Sequence, residues 1–119
     1  MSKVFITQAI MRRDRATGAF VPNFDTSHAK QYGDVHYIFG EGHVELTGEA
    51  LTQYIDARLD EVGFEPEEDY VVLIGDPFIS AVAAASMKER GRCRVLRWDK
   101  RYSRYSEDEL VLAGDQDER

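Results

Sequence analysis

Seven cations fall between Arg90 and Arg104, and aromatic side chains stand among them. Arg90, Arg92, Arg94, Arg97, Lys100, Arg101 and Arg104 are opposed there only by Asp99, a local net charge of +6 in a chain whose total is -7, so the remainder carries -13. Read as a strand, Cys93 to Trp98 alternates between two faces, with Arg92, Arg94, Leu96 and Trp98 on one and Cys93, Val95 and Arg97 on the other. Guanidinium and ammonium groups pair with phosphates and aromatic rings stack on bases. The stripe Arg92, Arg94, Arg97, Trp98, Lys100, Arg101 and Tyr102 therefore predicts a contact with nucleic acid or a nucleoprotein complex. The competing expectation is that these arginines neutralise the chain's own carboxylates while Trp98 packs in the core.

The acids suggest a different partner. Glu41 to Asp69 holds ten of them against Arg58 alone. A face built from Glu61, Glu65, Glu67, Glu68 and Asp69, continued by Glu49, Asp56 and Asp60, suits an inhibitor that docks on a basic host protein. A solvated helix face has the same composition. A third class follows from Gly75-Asp76-Pro77, where a parallel strand ends and a helix begins, the place where α/β proteins take anions and nucleotides. No G-x-G-x-x-G and no Gly-Lys-Ser/Thr accompanies it, and Asp76 repels phosphate, so a locally capped helix start explains the same residues.

Catalytic signatures are sparse. His36 and His43, with Asp34, Glu41 and Glu45, can meet across a hairpin, but their spacing matches no ligand pattern and no metal is expected. His28 beside Ser27 reads as part of a cap. Cys93, the single cysteine, is expected to be a small buried hydrophobe, although Arg92 and Arg94 would activate it if it were exposed. No serine carries a nucleophile elbow or a nearby histidine. Neither an enzyme nor a cofactor is anticipated.

These residues need positioning, and a chain of 119 residues with 43% hydrophobic and 31% charged content is of a size to form one α/β domain, expected over 1–112, with a polar tail over 113–119. Val4 to Ile10 and Ala19 to Val21, separated by Asp14 to Gly18, read as an N-terminal β-hairpin. A helical turn over His28 to Tyr32 and a strand over Val35 to Phe39 follow. Gly40-Glu41-Gly42 then turns toward a second pairing segment over His43 to Leu46.

Thr47 predicts an N-cap for a helix in which Leu51, Tyr54, Ile55, Leu59 and Val62 recur at three- and four-residue spacing, with Gly63 as its stop. Tyr70 to Ile74 reads as a central strand covered on both faces. Phe78 to Arg90 reads as an alanine-rich helix stopped by Gly91, and Cys93 to Trp98 returns as a parallel strand through a right-handed βαβ crossover. A closing strand begins at Arg104-Tyr105. The expected fold is thus a mixed β-sheet with an N-terminal hairpin and two helices. Hairpin edges offer a route to a homo-oligomer.

No apolar run reaches the roughly 20 residues that span a bilayer, so no membrane partner is expected. Met1-Ser2-Lys3-Val4 leads directly into a strand, and a lone cysteine suits a reducing compartment, which together predict a cytoplasmic protein. Gly75-Asp76-Pro77, the alanine-rich helix, Gly91-Arg92, Val95 to Lys100 and Tyr105 resemble small proteins encoded by phages and plasmids. So do the alternating first strand, the basic turn, Val21-Pro22 and Asp25. The resemblance implies a mobile-element setting inside a bacterial cell and carries over no catalytic residue.

Overall fold

The computed structural model describes residues 2–22, 26–40 and 46–118. Its seven strands are β1 (Lys3–Gln8), β2 (Met11–Arg13), β3 (Phe20–Pro22), β4 (Asp34–Phe39), β5 (Tyr70–Val72), β6 (Arg94–Asp99) and β7 (Arg104–Glu109). Helix α1 (Gly48–Val62) joins β4 to β5, and α2 (Pro77–Glu89) joins β5 to β6. Five strands form one sheet in the order β4-β1-β5-β6-β7, parallel except for β7, which runs antiparallel to β6. The two remaining strands form a separate antiparallel ribbon, with Arg13 opposite Phe20.

The first strand differs from the sequence reading. Val4 to Ile10 was expected to fold back on Ala19 to Val21, but Lys3–Gln8 is instead the second strand of the main sheet, between β4 and β5. Val4, Phe5 and Ile6 are fully buried, and a side chain removed from water in this way is worth about 1.5–3 kcal/mol. Burial on both faces outweighs the short return to Ala19, so the hairpin is confined to Met11–Arg13 and Phe20–Pro22. A pairing segment over His43 to Glu45 falls outside the described residues.

Each helix follows from its sequence. Leu51, Ile55 and Leu59 are buried on one stripe of α1, and Gly63 ends the helix in a left-handed conformation at φ 85°. Thr47 occupies the capping position, yet its side chain makes no capping bond. Tyr54, expected in the core stripe, remains exposed and stacks on Phe39 at 4.6 Å. At the start of α2 the Asp76 carboxylate accepts from Phe78 N at 2.8 Å, and Pro77 fills the first turn where no N–H is needed. The helix ends one residue earlier than Arg90, whose guanidinium reaches back to Asp56 and Asp60 of α1.

The two faces of the sheet are covered differently. Both helices lie on one face, over Phe5, Ile38, Val71 and Cys93. Among the described residues the other face, with Val4, Ile6, Val72, Leu96 and Tyr105, receives the connection from β1 to β4, where a 3-10 turn at Ala29–Gln31 lays down Ala29 and Tyr32. A second 3-10 helix runs over Ala113–Glu118, within the polar tail. No helix among the described residues is long and apolar enough to cross a membrane.

Candidate functional site

Because β1, β5 and β6 are parallel, their carboxyl ends meet at one edge of the sheet, the usual ligand position in an open α/β sheet. There, on the face without helices, lies a groove of about 780 Å3. Val72, Ile74, Leu96 and Tyr105 give it an apolar floor, and Arg97 and Lys100 are the charged residues in its lining.

Trp98 forms one wall. Its indole is 43% exposed, meets Tyr105 edge-on at 5.1 Å, and lies 5.2 Å from the His28 ring. The expectation that this indole packs wholly in the core is therefore only half met. Beyond it the β6–β7 turn is shaped by Asp99, whose carboxylate accepts from Arg101 N at 2.9 Å, and by Ser103 at φ 48°. Tyr102 is 63% exposed at this turn, with the guanidinium groups of Arg101 and Arg104 at 5.5 and 5.1 Å from its ring centre.

The basic stripe divides at Leu96. Arg92 makes a two-pronged contact with Glu109, its Nε 3.0 Å from Oε2, and also meets Glu67 at 3.0 Å. This pairing raises the Arg92 pKa and holds the Glu109 carboxyl below its usual range. Arg94 lies over the Tyr70 ring at 4.1 Å and donates to its hydroxyl and to the Glu67 carbonyl. The Tyr70 hydroxyl donates on to Glu107, and its pKa is raised first by burial and then by that bond. Arg92 and Arg94 thus tie the acidic loop to β6 and β7.

The outer half is freer. Arg97 pairs with Asp108 at 3.1 Å and Arg101 with Asp99 at 3.4 Å, but both are largely exposed, and exposed pairs contribute little and exchange readily. Lys100 and Arg104 make no ion pair with described residues. Arg97, Trp98 and Lys100 line the groove, and Arg101, Tyr102 and Arg104 cluster at the β6–β7 turn that follows; Arg92 and Arg94 belong to neither group.

The acidic residues do not form one open patch. Asp69 is buried, accepts from Lys3 N at 2.8 Å and Glu65 N at 2.7 Å, and pairs with the Lys3 ammonium at 3.3 Å. It fixes the loop before β5 rather than facing a partner. Glu67 is engaged by Arg92, and Glu61 by Arg58 at 3.6 Å, while Glu65 and Glu68 lie on the surface.

At the Gly75-Asp76-Pro77 turn two backbone donors are already occupied. Asp76 N bonds Gln8 Oε1 at 2.6 Å, and Phe78 N bonds the Asp76 carboxylate. Cys93 is sealed beneath the helices, and burial pushes its thiol up to about 11, which removes the thiolate that would react. His36 lies in β4 with its ring 6.0 Å from Phe5. His43, Glu41 and Glu45 fall outside the described residues, among which no His, Cys, Asp and Glu cluster is arranged to hold a metal.

Reasoning from residues missed the groove floor. Tyr70 to Ile74 reads as a strand covered on both faces, and nothing local to Leu96 or Tyr105 marks them as lining a groove.

The model of the family described as Phage Pam3 gp32-like protein matches residues 2–112. No curated protein and no solved structure matches the chain.

Proposed function

The chain belongs to the Phage Pam3 gp32-like protein family and is a phage protein, and from that premise we infer that it is a non-catalytic accessory protein that holds single-stranded nucleic acid in the bacterial host cytoplasm. Bases enter the groove and stack on Trp98 and Tyr102, while Arg97, Lys100, Arg101 and Arg104 face the phosphates. The observation that carries this reading is the half-exposed indole in a groove with an apolar floor and cations in its lining. Base stacking on an aromatic ring is worth about 1–3 kcal/mol per base and tolerates any sequence, which suits an interface with few hydrogen-bonding groups in its floor.

The reading departs from the sequence expectation at Arg92 and Arg94, which are engaged by Glu67, Glu109, Tyr70 and Glu107 instead. Four cations against Asp99 leave the turn positive on an otherwise acidic protein. That distribution opposes non-specific binding elsewhere on the surface and directs a polyanion to this edge.

Trp98 is the only tryptophan, so intrinsic fluorescence reports directly on the groove. Titration with oligodeoxythymidylate at low ionic strength is expected to quench it, with the logarithm of affinity falling against the logarithm of salt at a slope of about -2 to -3 for four phosphate contacts. Tyr102→Ala should weaken binding by about five- to a hundredfold. An indole signal indifferent to the oligonucleotide at low salt would end this reading.

A further inference from the structure

The arginines fall into two groups. On the body, Arg58, Arg90, Arg92, Arg94, Arg97 and Arg101 each reach a carboxylate, and Arg104, alone among the described body arginines in reaching none, lies over Tyr102 instead. On the β2–β3 ribbon Arg12, Arg13 and Arg15 are exposed and pair with no carboxylate among the described residues. The chain holds 22 acids to 15 lysines and arginines, so this is no shortage of carboxylates. The nearest acid in sequence, Asp14, is spent on the turn itself: its two oxygens accept from Ala16 N at 3.0 Å and from the Thr17 hydroxyl at 3.3 Å. Gly18 N donates to the Asp14 carbonyl at 2.8 Å and Asp14 N to the Ala19 carbonyl at 2.8 Å, which sets the tip. Arg13 lies over the ring of Phe20, its cross-strand partner, at 5.3 Å, and Phe20 is 58% exposed.

Position gives this arm its meaning. The ribbon leaves β1 just after Gln8, at the carboxyl edge of the sheet where the β6–β7 turn leaves β6. Only β5 separates β1 from β6, so the two departures lie about 10 Å apart at the ordinary strand spacing.

We propose that the β2–β3 ribbon is a second contact for the same single strand: Arg12, Arg13 and Arg15 take phosphates beyond the groove, and Phe20 beside Arg13 gives a further ring for a base. The proposal rests on the groove reading and deepens it, because it makes the partner a strand long enough to span both points rather than a single nucleotide.

The test uses the full chain and two oligodeoxythymidylates, one of about four nucleotides and one of about twelve, a range typical of single-strand sites. For the triple variant Arg12→Ala, Arg13→Ala, Arg15→Ala, the short probe should quench Trp98 with affinity unchanged within about twofold. The long probe should lose about tenfold or more, with a salt slope shallower by about 2, the contribution of three phosphate contacts to a single strand. Equal binding of the long probe by variant and parent overturns the second contact and leaves the groove reading standing. Loss of the short probe in parallel also overturns it, since the ribbon would then act on the groove itself. If neither probe quenches the parent, both proposals fall. Should the triple variant fail to fold, Arg15→Glu at the ribbon tip gives the same comparison, with the long probe alone weakened.

Discussion

At Gly75 the backbone takes φ 97° directly above Gln8, and a Cβ there would overlap the Gln8 side chain that receives Asp76 N. Both the conformation and the contact resist a side chain, so Gly75→Ala should lower stability by about 2–4 kcal/mol in urea unfolding. A loss under about 0.5 kcal/mol would mean that Gln8 moves aside without cost. Single residues were readable where their partners are local. Asp76, Pro77 and Gly63 announce a helix start and stop because the bonds they make lie within a few positions. Asp69 misled for the opposite reason: a loop acid looks solvated until Lys3, 66 residues away, is set against it.

Among the elements, β7 and the 3-10 helix after it are fastened by charge. Arg92 lowers the Glu109 pKa; the Glu109 N–H and then Arg97 lower that of Asp108; Lys88 and then Leu112 N lower that of Asp115. A carboxyl whose pKa is depressed by folding contributes stability above its unfolded value and loses it as pH falls through the folded value. Acidification below the ordinary carboxylate range, about pH 4, should therefore loosen this edge before the sheet centre. Amide exchange checks it: Leu110 N, bonded to the Cys93 carbonyl, and Leu112 N, bonded to Asp115, should lose protection while Val71 keeps it. Uniform loss across the sheet would contradict this order. Both helices and β5 to β7 were legible from periodicity and glycine stops. The placement of β1 was not, since an alternating strand beside a turn fits a hairpin as well as a sheet interior, and only the long-range burial of Val4 and Ile6 decides.

At the scale of the whole molecule, the charge split was legible and its pairing was not. Composition shows a basic segment and an acidic body, but which guanidinium meets which carboxylate depends on β7 lying against β6 and on the acidic loop reaching Arg92 and Arg94. One more property follows from the order of the strands. Val4, Phe5 and Ile6 are synthesised early and then wait for Val35 to Tyr37 on one side and Tyr70 to Val72 on the other. Parallel pairing over such separations is slow, because loop closure comes before any reward. A nascent polypeptide stopped at Phe64 has this sticky segment with one flank bare, and it should show no cooperative melting and should aggregate, as judged by light scattering. The molecule is thus most vulnerable on the ribosome, when a chaperone has the most to hold.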